Sequence, residues 1–328
     1  MKILITGCAG FIGYHLFKNL SKNKKNIIFG IDNLNKTYDS KIKSDRLNNL
    51  KKIKNSIFFK IDISNQNLLL SNFKKYKYDI VINLAAQAGV RDSVYKPNQY
   101  FKNNIQGFYN ILIASNEIKV KHLIYASSSS VYGNGKTPSK EKDNTDNPLS
   151  FYAASKKTNE ILAHAFSNIY KLPTTGLRFF TVYGPFGRPD MALFLFTKAM
   201  IQNKKIKIFN KGKHIRDFTY VDDVIDGISQ LILKPPNKKV PYSIYNIGSN
   251  NPVKLLNFVQ MIEKKINKKT QKILDKFQIG DVIKTHADMT LLFKKIRVYK
   301  KTSLSEGIEK FIKWYLNYYN ISNDRKKK

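Results

Sequence analysis

The sequence is poor in cysteine, in acidic residues and in long apolar runs. Its 328 residues contain one cysteine, Cys8, which excludes an intrachain disulfide and favours a reducing compartment. No apolar run approaches the ~20 residues of a membrane-spanning helix. Thr6 and Gly7 interrupt the apolar N-terminal stretch, which also lacks the basic start of a signal peptide. We therefore expect a cytoplasmic protein with no membrane partner.

Acidic residues are strongly outnumbered by basic ones. The chain has 58 Lys and Arg against 23 Asp and Glu, a formal charge of +35. This excess has two readings: a nucleic-acid or other anionic partner, or the lysine-rich codon usage of an AT-rich genome. Because the lysines are spread along the chain and no recognisable nucleic-acid module appears, we predict no nucleic-acid partner. The five histidines are isolated without metal-ligand spacing, so no metal site is expected.

A glycine loop follows the first apolar segment. Residues 2–6 have the pattern of a buried strand, and helical spacing of apolar residues begins at Leu16. Between them the glycines would let the backbone approach a dinucleotide pyrophosphate, which the N–H groups of the first helical turn would bind. The spacing Gly-x-x-Gly-x-x-Gly differs from the commonest fingerprint, and a plain glycine turn is the alternative. The predicted contacts are Gly7, Gly10, Phe11, Ile12 and Gly13.

Further apolar segments alternate with helical patterns. They predict an α/β fold with a Rossmann-like, doubly wound parallel sheet and helices on both faces. Asp32 ends the second segment, where a carboxylate would bind ribose hydroxyls and repel a 2′-phosphate, so NAD is expected rather than NADP. The other predicted cofactor contacts at strand ends are Asn33, Asn35, Asp62, Ile63, Leu84, Ala85 and Ala86. Asn103 is predicted on a helix, where its side chain would support a lysine or a bound water.

Tyr152 and Lys156 lie four residues apart and would project from one face of a helix. A phenol ionises near pH ~10, and we expect the lysine charge to lower that pKa so that the phenolate takes a proton from a sugar hydroxyl. Four serines, residues 127–130, precede the pair, and one of their hydroxyls would bridge substrate and phenol. Taken alone, a Tyr-x-x-x-Lys pattern is frequent by chance and a serine run is also a flexible turn.

In the order of these motifs the chain resembles the extended short-chain dehydrogenase/reductases, in their nucleotide-sugar epimerase branch. The resemblance rests on the glycine loop, the serine run followed by Val131-Tyr132-Gly133, and the Tyr-Lys pair. It covers nearly the whole chain. It implies that Ser128, Tyr152 and Lys156 are catalytic and that the last two also contact the cofactor. Ser128 follows from counting back from Val131, so the choice among the four serines is a question of register.

The second half resembles UDP-glucuronate 4-epimerases. It carries their run from Phe179 to Ala192, except that Phe186 replaces the usual tryptophan, and it has Ile279 where they have proline. The resemblance implies NAD-dependent C4 epimerisation of UDP-glucuronate to UDP-galacturonate through a transient 4-keto sugar. It also implies that NAD stays tightly bound and is recycled in each turnover, and that the protein is a homodimer. The implied contacts with the UDP-sugar are Gln87, Arg91, Ser128, Ser129, Ser130, Tyr152, Thr181, Arg188, Arg216 and Asp281.

A 4-keto uronic acid is a β-keto acid, which loses CO₂ when its carboxylate aligns with the carbonyl π-system. Arg188, with its planar fork, and the hydroxyls of Thr181, Ser129 and Ser130 are the expected restraint on that carboxylate. Without the resemblance, an ordinary surface arginine in a Gly-Pro loop would be an equally good interpretation of Arg188. Arg216 is expected to bind the diphosphate, but from the sequence alone Arg216 and Asp217 more often form a surface ion pair.

Four other functions compete with this reading. A UDP-glucose 4-epimerase is the nearest alternative, and a UDP-glucuronate decarboxylase shares the fold. A sugar 4,6-dehydratase would need an acid beside the active serine, where this chain has Ser129. A non-catalytic nucleotide- or RNA-binding protein would use the positive charge. For the domains we predict an NAD-binding region over 1–178, to which 222–248 returns, and a smaller mixed α/β nucleotide-sugar region over 179–328.

Overall fold

The computed structural model describes residues 1–35, 40–297 and 299–321. Its strands are β1 Lys2–Thr6, β2 Ile27–Ile31, β3 Ser56–Phe59, β4 Ile80–Asn83, β5 His122–Ser128, β6 Thr174–Phe179, β7 Thr181–Tyr183, β8 Ile206–Ile208, β9 Ile215–Tyr220, β10 Tyr242–Ile247, β11 Pro252–Lys254 and β12 Lys272–Leu274. Its α-helices are α1 Phe11–Leu20, α2 Ser40–Lys51, α3 Gln66–Tyr76, α4 Asp92–Tyr95, α5 Pro97–Tyr100, α6 Gly107–Glu117, α7 Phe151–Tyr170, α8 Ala192–Ile201, α9 Val221–Leu231, α10 Leu255–Ile266, α11 Thr290–Lys295 and α12 Leu304–Tyr318. A π-helix covers Phe101–Gln106, and 3₁₀ turns cover Ser129–Tyr132 and Phe209–Gly212.

A parallel sheet in the order β10-β6-β5-β4-β1-β2-β3 dominates the described residues. Its central strands β1, β2 and β4 are mainly apolar and buried, because both faces of the sheet are covered by helices. Side chains alternate across β1, so that Ile3 and Ile5 join one buried cluster and Leu4 joins the other. The predicted doubly wound α/β fold is therefore confirmed.

The strand order reverses between β1 and β4, which are adjacent in the sheet. In an open parallel sheet, ligands bind in the crevice at such a reversal, beyond the carboxyl ends of the strands. The glycine loop leaves β1 at this edge, and Leu84 follows β4 there, its N–H donating to the Thr6 carbonyl at 3.2 Å. The topology thus places these two segments side by side.

Smaller sheets follow in the second half of the chain. β7 pairs with β9 in parallel and β11 pairs with β9 antiparallel, while β12 pairs with β8 in parallel. Between these elements the chain returns to the main sheet, where β10 extends the edge beyond β6. The domain bounds at 178 and 179 remain a prediction, and the last seven residues of the second region lie outside the described residues.

The described residues form neither a membrane-spanning helix nor a cluster of metal ligands. No helix in the ranges above combines the length and apolar character needed to cross a membrane. No group of three or more His, Cys, Asp or Glu side chains in the same ranges is arranged to hold a metal ion.

Candidate active site

The glycine loop is packed too closely to admit side chains at two of its positions. Gly7 has φ +68°, and a Cβ built there would lie 2.7 Å from the Ala85 nitrogen. A Cβ on Gly13 would lie 2.2 Å from the Gly7 carbonyl oxygen. Gly10 precedes α1, whose first turn holds Phe11 and Ile12. The first N–H groups of a helix lack intrahelical partners, so this loop fits the phosphates of a dinucleotide.

Asp32 fixes the loop from the end of β2. Its carboxylate accepts from the Ala9 N–H at 3.0 Å and from the Leu34 N–H at 2.8 Å, and the residue is 7% exposed. Since the same carboxylate lies at the strand end beside the glycine loop, it fits the ribose contact expected of an NAD site.

The other predicted adenosine contacts form a connected chain. Asn33 Nδ2 donates to Asp62 at 3.0 Å, and the Asn35 N–H donates to Asn33 Oδ1 at 3.1 Å. Burial raises the pKa of Asp62, but hydrogen bonds from Asn33 and Ser64 outweigh it and lower that pKa overall. Asp62 is therefore held as a carboxylate next to the residues predicted to surround the adenosine.

The end of β4 meets the π-helix. Ile63 lies against this region, where a Cβ on Gly107 would come within 2.8 Å of its side chain. Ala85 lies at the crevice beside Thr6, and Ala86 follows it toward Gln87. Gln87 is buried, and its backbone N–H and C=O both bind the side-chain amide of Asn104, at 2.7 and 3.0 Å.

Asn103 and Asn104 differ in the direction of their side chains. Asn103 Nδ2 donates to the Gln99 carbonyl of α5, the preceding helix, at 2.7 Å. Asn104 is 1% exposed, and its amide also donates to the Ser155 hydroxyl at 3.0 Å on α7. Sequence reasoning selected Asn103 and missed Asn104, because a π-helix shifts the inward-facing position relative to the 3.6-residue repeat. A cofactor role of Asn103 remains a prediction.

α7 carries the tyrosine and the lysine in its first two turns. The helix starts after Ser150, whose hydroxyl accepts from the Ala153 N–H at 3.1 Å, a standard N-cap. Lys156 is 3% exposed, and its ammonium donates to the Ala126 carbonyl of β5 at 2.8 Å. The ammonium lies 5.9 Å from the centre of the Tyr152 ring. Burial lowers the pKa of Lys156 to about 8.

The electrostatics of Tyr152 differ from the expectation. Burial raises the pKa of its phenol overall, and a hydrogen bond with Ser128 and the charge of Arg188 offset this only in part. The expected lowering of this pKa is therefore not what the structure gives, because burial of the phenol is the largest effect. The Tyr152 ring packs edge-on against Tyr100 at 6.2 Å. Arg188, expected only to meet a carboxylate, therefore also acts on the phenol.

The four serines separate into two roles. Ser127 faces away from the phenol and donates to Glu160 at 2.5 Å. Ser128 is the one whose hydroxyl interacts with Tyr152, and it also donates to the Ser130 hydroxyl at 3.2 Å. Ser129 and Ser130 begin a 3₁₀ turn that Ser128 caps. This geometry supports Ser128 in the register question, since Ser127 is engaged elsewhere.

A buried ion pair that the sequence did not predict lies next to the serine run, where Ser127 donates to Glu160. Glu160 of α7 binds Arg178 of β6 through two hydrogen bonds, at 2.8 and 2.7 Å, and both side chains are at most 4% exposed. Arg178 also lies 4.7 Å over the Tyr132 ring. No sequence signal singled out the pair, because its members are 18 residues apart on different elements.

Arg188 belongs to what we call the arginine loop, residues 184–190. Its guanidinium binds both carboxylate oxygens of Asp190, at 3.1 and 2.5 Å, and its side chain is 19% exposed. A Cβ on Gly89 would lie 3.8 Å from Arg188 Nη2, so the guanidinium also reaches the segment after β4. Thr181 and Arg188 line the same small cavity. The reading of Arg188 as a plain surface residue does not fit this position.

Basic residues from both halves of the chain meet beside Asp281. Arg216 donates to Asp281 at 2.8 Å, not to its neighbour Asp217, which is fully buried. The alternative of an Arg216–Asp217 surface pair is therefore wrong. Arg91 stacks over the Phe209 ring at 4.5 Å, and its charge contributes to lowering the pKa of Arg216. Arg91, Arg216 and Asp281 thus come together, as a site for an anionic nucleotide requires.

Comparison with known proteins gives consistent matches. The sequence profile of the NAD dependent epimerase/dehydratase family matches residues 3–248. Protein CapI of Staphylococcus aureus is 49% identical over 97% of this chain and 99% of its own length. UDP-glucuronate 4-epimerase 4 of Arabidopsis thaliana is 41% identical over 99% of this chain and 77% of its own length. The crystal structure of UDP-glucuronic acid 4-epimerase from Bacillus cereus in complex with UDP-glucuronic acid and NAD is 34% identical, with a TM-score of 0.91 over 97% of this chain and 100% of that chain.

Proposed function

We propose, because this chain belongs to the NAD dependent epimerase/dehydratase family, that it interconverts UDP-glucuronate and UDP-galacturonate by epimerisation at C4. The observation that carries the proposal is the nearness of two groups. Tyr100 packs edge-on against the Tyr152 ring and donates to the Gly89 carbonyl, and a Cβ on Gly89 would lie 3.8 Å from Arg188 Nη2. A proton acceptor and a carboxylate-binding fork therefore lie on either side of the same pair of residues, Gly89 and Tyr100.

Proton transfer is assigned to Tyr152. Its phenolate takes the proton of the sugar 4-OH as C4 is oxidised, and returns it to the 4-oxygen as C4 is reduced. Ser128, which interacts with the phenol, both accepts and donates hydrogen bonds and bridges the phenol to the sugar hydroxyl. Lys156, anchored on Ala126, places a positive charge 5.9 Å from the centre of the Tyr152 ring, where it would oppose the effect of burial on the ionised phenol.

The glycine loop, Asp32 and the first turn of α1 would hold NAD, as argued from their packing. When bound, NAD would supply reversible hydride transfer to and from C4 of the sugar, and return of the hydride to the opposite face of the sugar would invert that carbon. Because oxidation and reduction cancel, the reaction consumes no cofactor. The protein therefore needs only to retain the dinucleotide and to let the 4-keto sugar turn over within the site.

Restraint of the carboxylate is assigned to Arg188. The 4-keto uronic acid loses CO₂ only when its C5–carboxylate bond lies parallel to the carbonyl π-orbitals. A guanidinium that binds both carboxylate oxygens fixes their plane, and the contact with Asp190 shows that the Arg188 fork accepts this geometry. The Asp190 side chain is 47% exposed, so a substrate carboxylate can replace it with little loss of buried charge. Thr181, Ser129 and Ser130 would complete the restraint.

The nucleotide is assigned to the basic group of Arg91 and Arg216. Two guanidinium groups offset the charge of a diphosphate, and Asp281, already bound to Arg216, would accept from a uridine ribose hydroxyl. Gln87, which lies between β4 and the π-helix, would contact the sugar.

An NMR time course on the purified protein tests the proposal. UDP-glucuronate is added without NAD, and UDP-galacturonate should appear until the two reach equilibrium. UDP-glucose, run in parallel, tests the nearest alternative and should turn over far more slowly. UDP-xylose or a 4-keto pentose as main product would falsify the proposed restraint of the carboxylate, and turnover of UDP-glucose alone would contradict the acidic substrate.

The homodimer is proposed from an exposed apolar surface. α6 and α7 pack together, and large side chains from these helices and the π-helix remain exposed: Phe101 55%, Tyr109 42%, Ile161 57%, Ile169 64% and Tyr170 49%. An apolar patch of this kind marks an interaction site. Light scattering after gel filtration should give twice the mass of 37.9 kDa, and Ile161→Glu combined with Ile169→Glu should give a monomer. A monomeric wild type would contradict the proposal.

A cytoplasmic location goes with the proposed function. Cys8 is a buried free thiol, which suits a reducing compartment.

A further inference from the structure

Arg46 is a fully buried arginine of α2 that contacts two separate loops. Its Nη1 donates to the Ala9 carbonyl of the glycine loop at 3.1 Å. Its Nη2 donates to the carbonyls of Phe186 and Gly187 in the arginine loop, at 2.6 and 3.2 Å. Residues 9 and 187 are far apart in sequence, and one planar guanidinium joins them. A buried charge needs such hydrogen bonds to offset its loss of water, so both loops are constrained to this geometry.

The arginine loop rests on α1 as well as on α2. His15 Nε2 lies 2.8 Å from the Pro185 carbonyl, and the Tyr14 ring packs on Phe186 with 4.9 Å between centroids. Phe186 has φ +54°, a conformation that a bulky side chain adopts only when its surroundings impose it. The first part of the arginine loop is therefore held by the helix that starts at the glycine loop and by Arg46.

Arg188 follows directly. Its carbonyl accepts from the Met191 N–H at 3.1 Å, just before α8 begins at Ala192. Its backbone thus lies between Gly187, which Arg46 holds, and the first turn of α8. A shift of Gly187 would move the origin of the Arg188 side chain and with it the fork that meets the carboxylate.

We infer that Arg46 is a positioning residue that couples the glycine loop to Arg188. Binding of the sugar carboxylate by Arg188 therefore depends on the conformation of the glycine loop, where the cofactor is proposed to bind. The inference rests on the proposed function, since it assigns the sugar carboxylate to Arg188. It concerns no direct contact of Arg46 with substrate. Coupling between two sites is reciprocal, so binding of a carboxylate at Arg188 should also stabilise the conformation of the glycine loop.

The variant Arg46→Lys tests the inference in the NAD-bound enzyme. Lysine keeps the charge but has no planar fork to bridge both loops. We expect the KM for UDP-glucuronate to rise about tenfold, within the range measured for coupling residues, while kcat changes less than about threefold. The share of decarboxylated product should rise, and the affinity for UDP, which has no carboxylate, should stay within about twofold. A purely structural defect would weaken UDP and UDP-glucuronate alike, and that result would overturn the inference.

A double-mutant cycle sharpens the test. On the Arg188→Ala background, Arg46→Lys should have no further effect on UDP-glucuronate beyond about twofold, because residues that act through one another are not additive. Tyr318→Phe is the matched control. The Tyr318 hydroxyl donates to Asp45, the neighbour of Arg46 on α2, so the variant cuts the link from α2 to α12 and leaves the Arg46 bridge intact. It should not change the ratio of UDP-glucuronate to UDP affinity.

A measurement on the wild type covers the case in which Arg46→Lys does not fold. Hydrogen exchange in residues 9–13 of the NAD-bound enzyme should slow severalfold more with UDP-glucuronate than with UDP. Equal protection by both ligands would contradict the coupling. The two proposals fail differently: a wild type that does not epimerise UDP-glucuronate contradicts both, whereas an active wild type with unaltered Arg46→Lys selectivity contradicts the coupling alone.

Discussion

The proton-transfer region and the arginine loop are built in opposite ways. Next to Tyr152 and Lys156, the charges of Glu160 and Arg178 form an ion pair that is almost completely buried. In the arginine loop, the Arg188–Asp190 ion pair is partly exposed, with Asp190 47% exposed. The backbone of this loop is held by Arg46, which donates to two of its carbonyl oxygens. In the proposed mechanism, proton transfer thus lies on a helix and a strand of the main fold, while recognition of the acidic group lies on a loop that depends on its neighbours.

Tyr152→Phe should have the largest effect on turnover, because it removes the hydroxyl that transfers the proton and leaves the packing of the ring unchanged. The ring remains against Tyr100, but the proton acceptor is gone, so turnover should fall by about 10²–10⁴-fold. NAD content and thermal stability should stay near wild type. Epimerisation of UDP-glucuronate followed by NMR gives the rate, and a near-normal rate would refute the assignment of the base.

Arg178→Met tests the buried construction of the same region. It leaves Glu160 buried without its partner, which should reduce the free energy of unfolding by about 3–5 kcal/mol. Adding Glu160→Gln should recover part of that loss, because the uncompensated carboxylate is removed. Asp190→Asn is the matched change in the arginine loop and should alter stability by less than about 1 kcal/mol, since the pair is partly exposed.

Urea unfolding of the four proteins measures these differences. An Arg178→Met variant no less stable than Asp190→Asn would remove the contrast between the two regions.

Arg188→Ala should affect recognition more than folding. Loss of charged hydrogen bonds should weaken UDP-glucuronate binding by about 10- to 100-fold, and UDP binding should change little. The share of decarboxylated product should rise because the carboxylate is no longer held. Calorimetric titration with both ligands and product analysis check this, and an unchanged product ratio would count against the restraint.

His15→Gln should have the smallest effect and concerns the support of the arginine loop. Burial lowers the pKa of His15 to about 4, against ~6.5 for an exposed histidine. The folded state therefore favours neutral His15, and its contribution to stability is present above pH ~6.5 and is lost as the pH falls toward 4. Between pH 7 and 5 the loss should be of the order of 1–2 kcal/mol. Urea unfolding measured at several pH values in this range should show that the free energy of unfolding falls more steeply with decreasing pH in the wild type than in the variant.

The fold and the cofactor side followed from local signals. A strand, a glycine loop and a helix are contiguous over residues 2–20, and Asp32 closes the next strand, so periodicity and strand ends were enough. Contacts between distant elements left no such signal. The Glu160–Arg178 pair, the amide of Asn104 and the bridge made by Arg46 depend on how α2, β6 and α7 pack, and no spacing in the sequence encodes that. The pKa of Tyr152 was misjudged for the same reason, since the burial that raises it depends on how distant elements pack around the ring.

The position of β10 has a consequence for synthesis of the chain. Residues 242–247 complete the main sheet beside β6, yet they leave the ribosome only after about sixty further residues of the second half have been made. Until then the edge of β6 presents unpaired backbone groups that can pair with another strand. The nascent protein therefore has an aggregation-prone interval that ends when β10 docks, and a chain cut before residue 242 would carry that edge permanently.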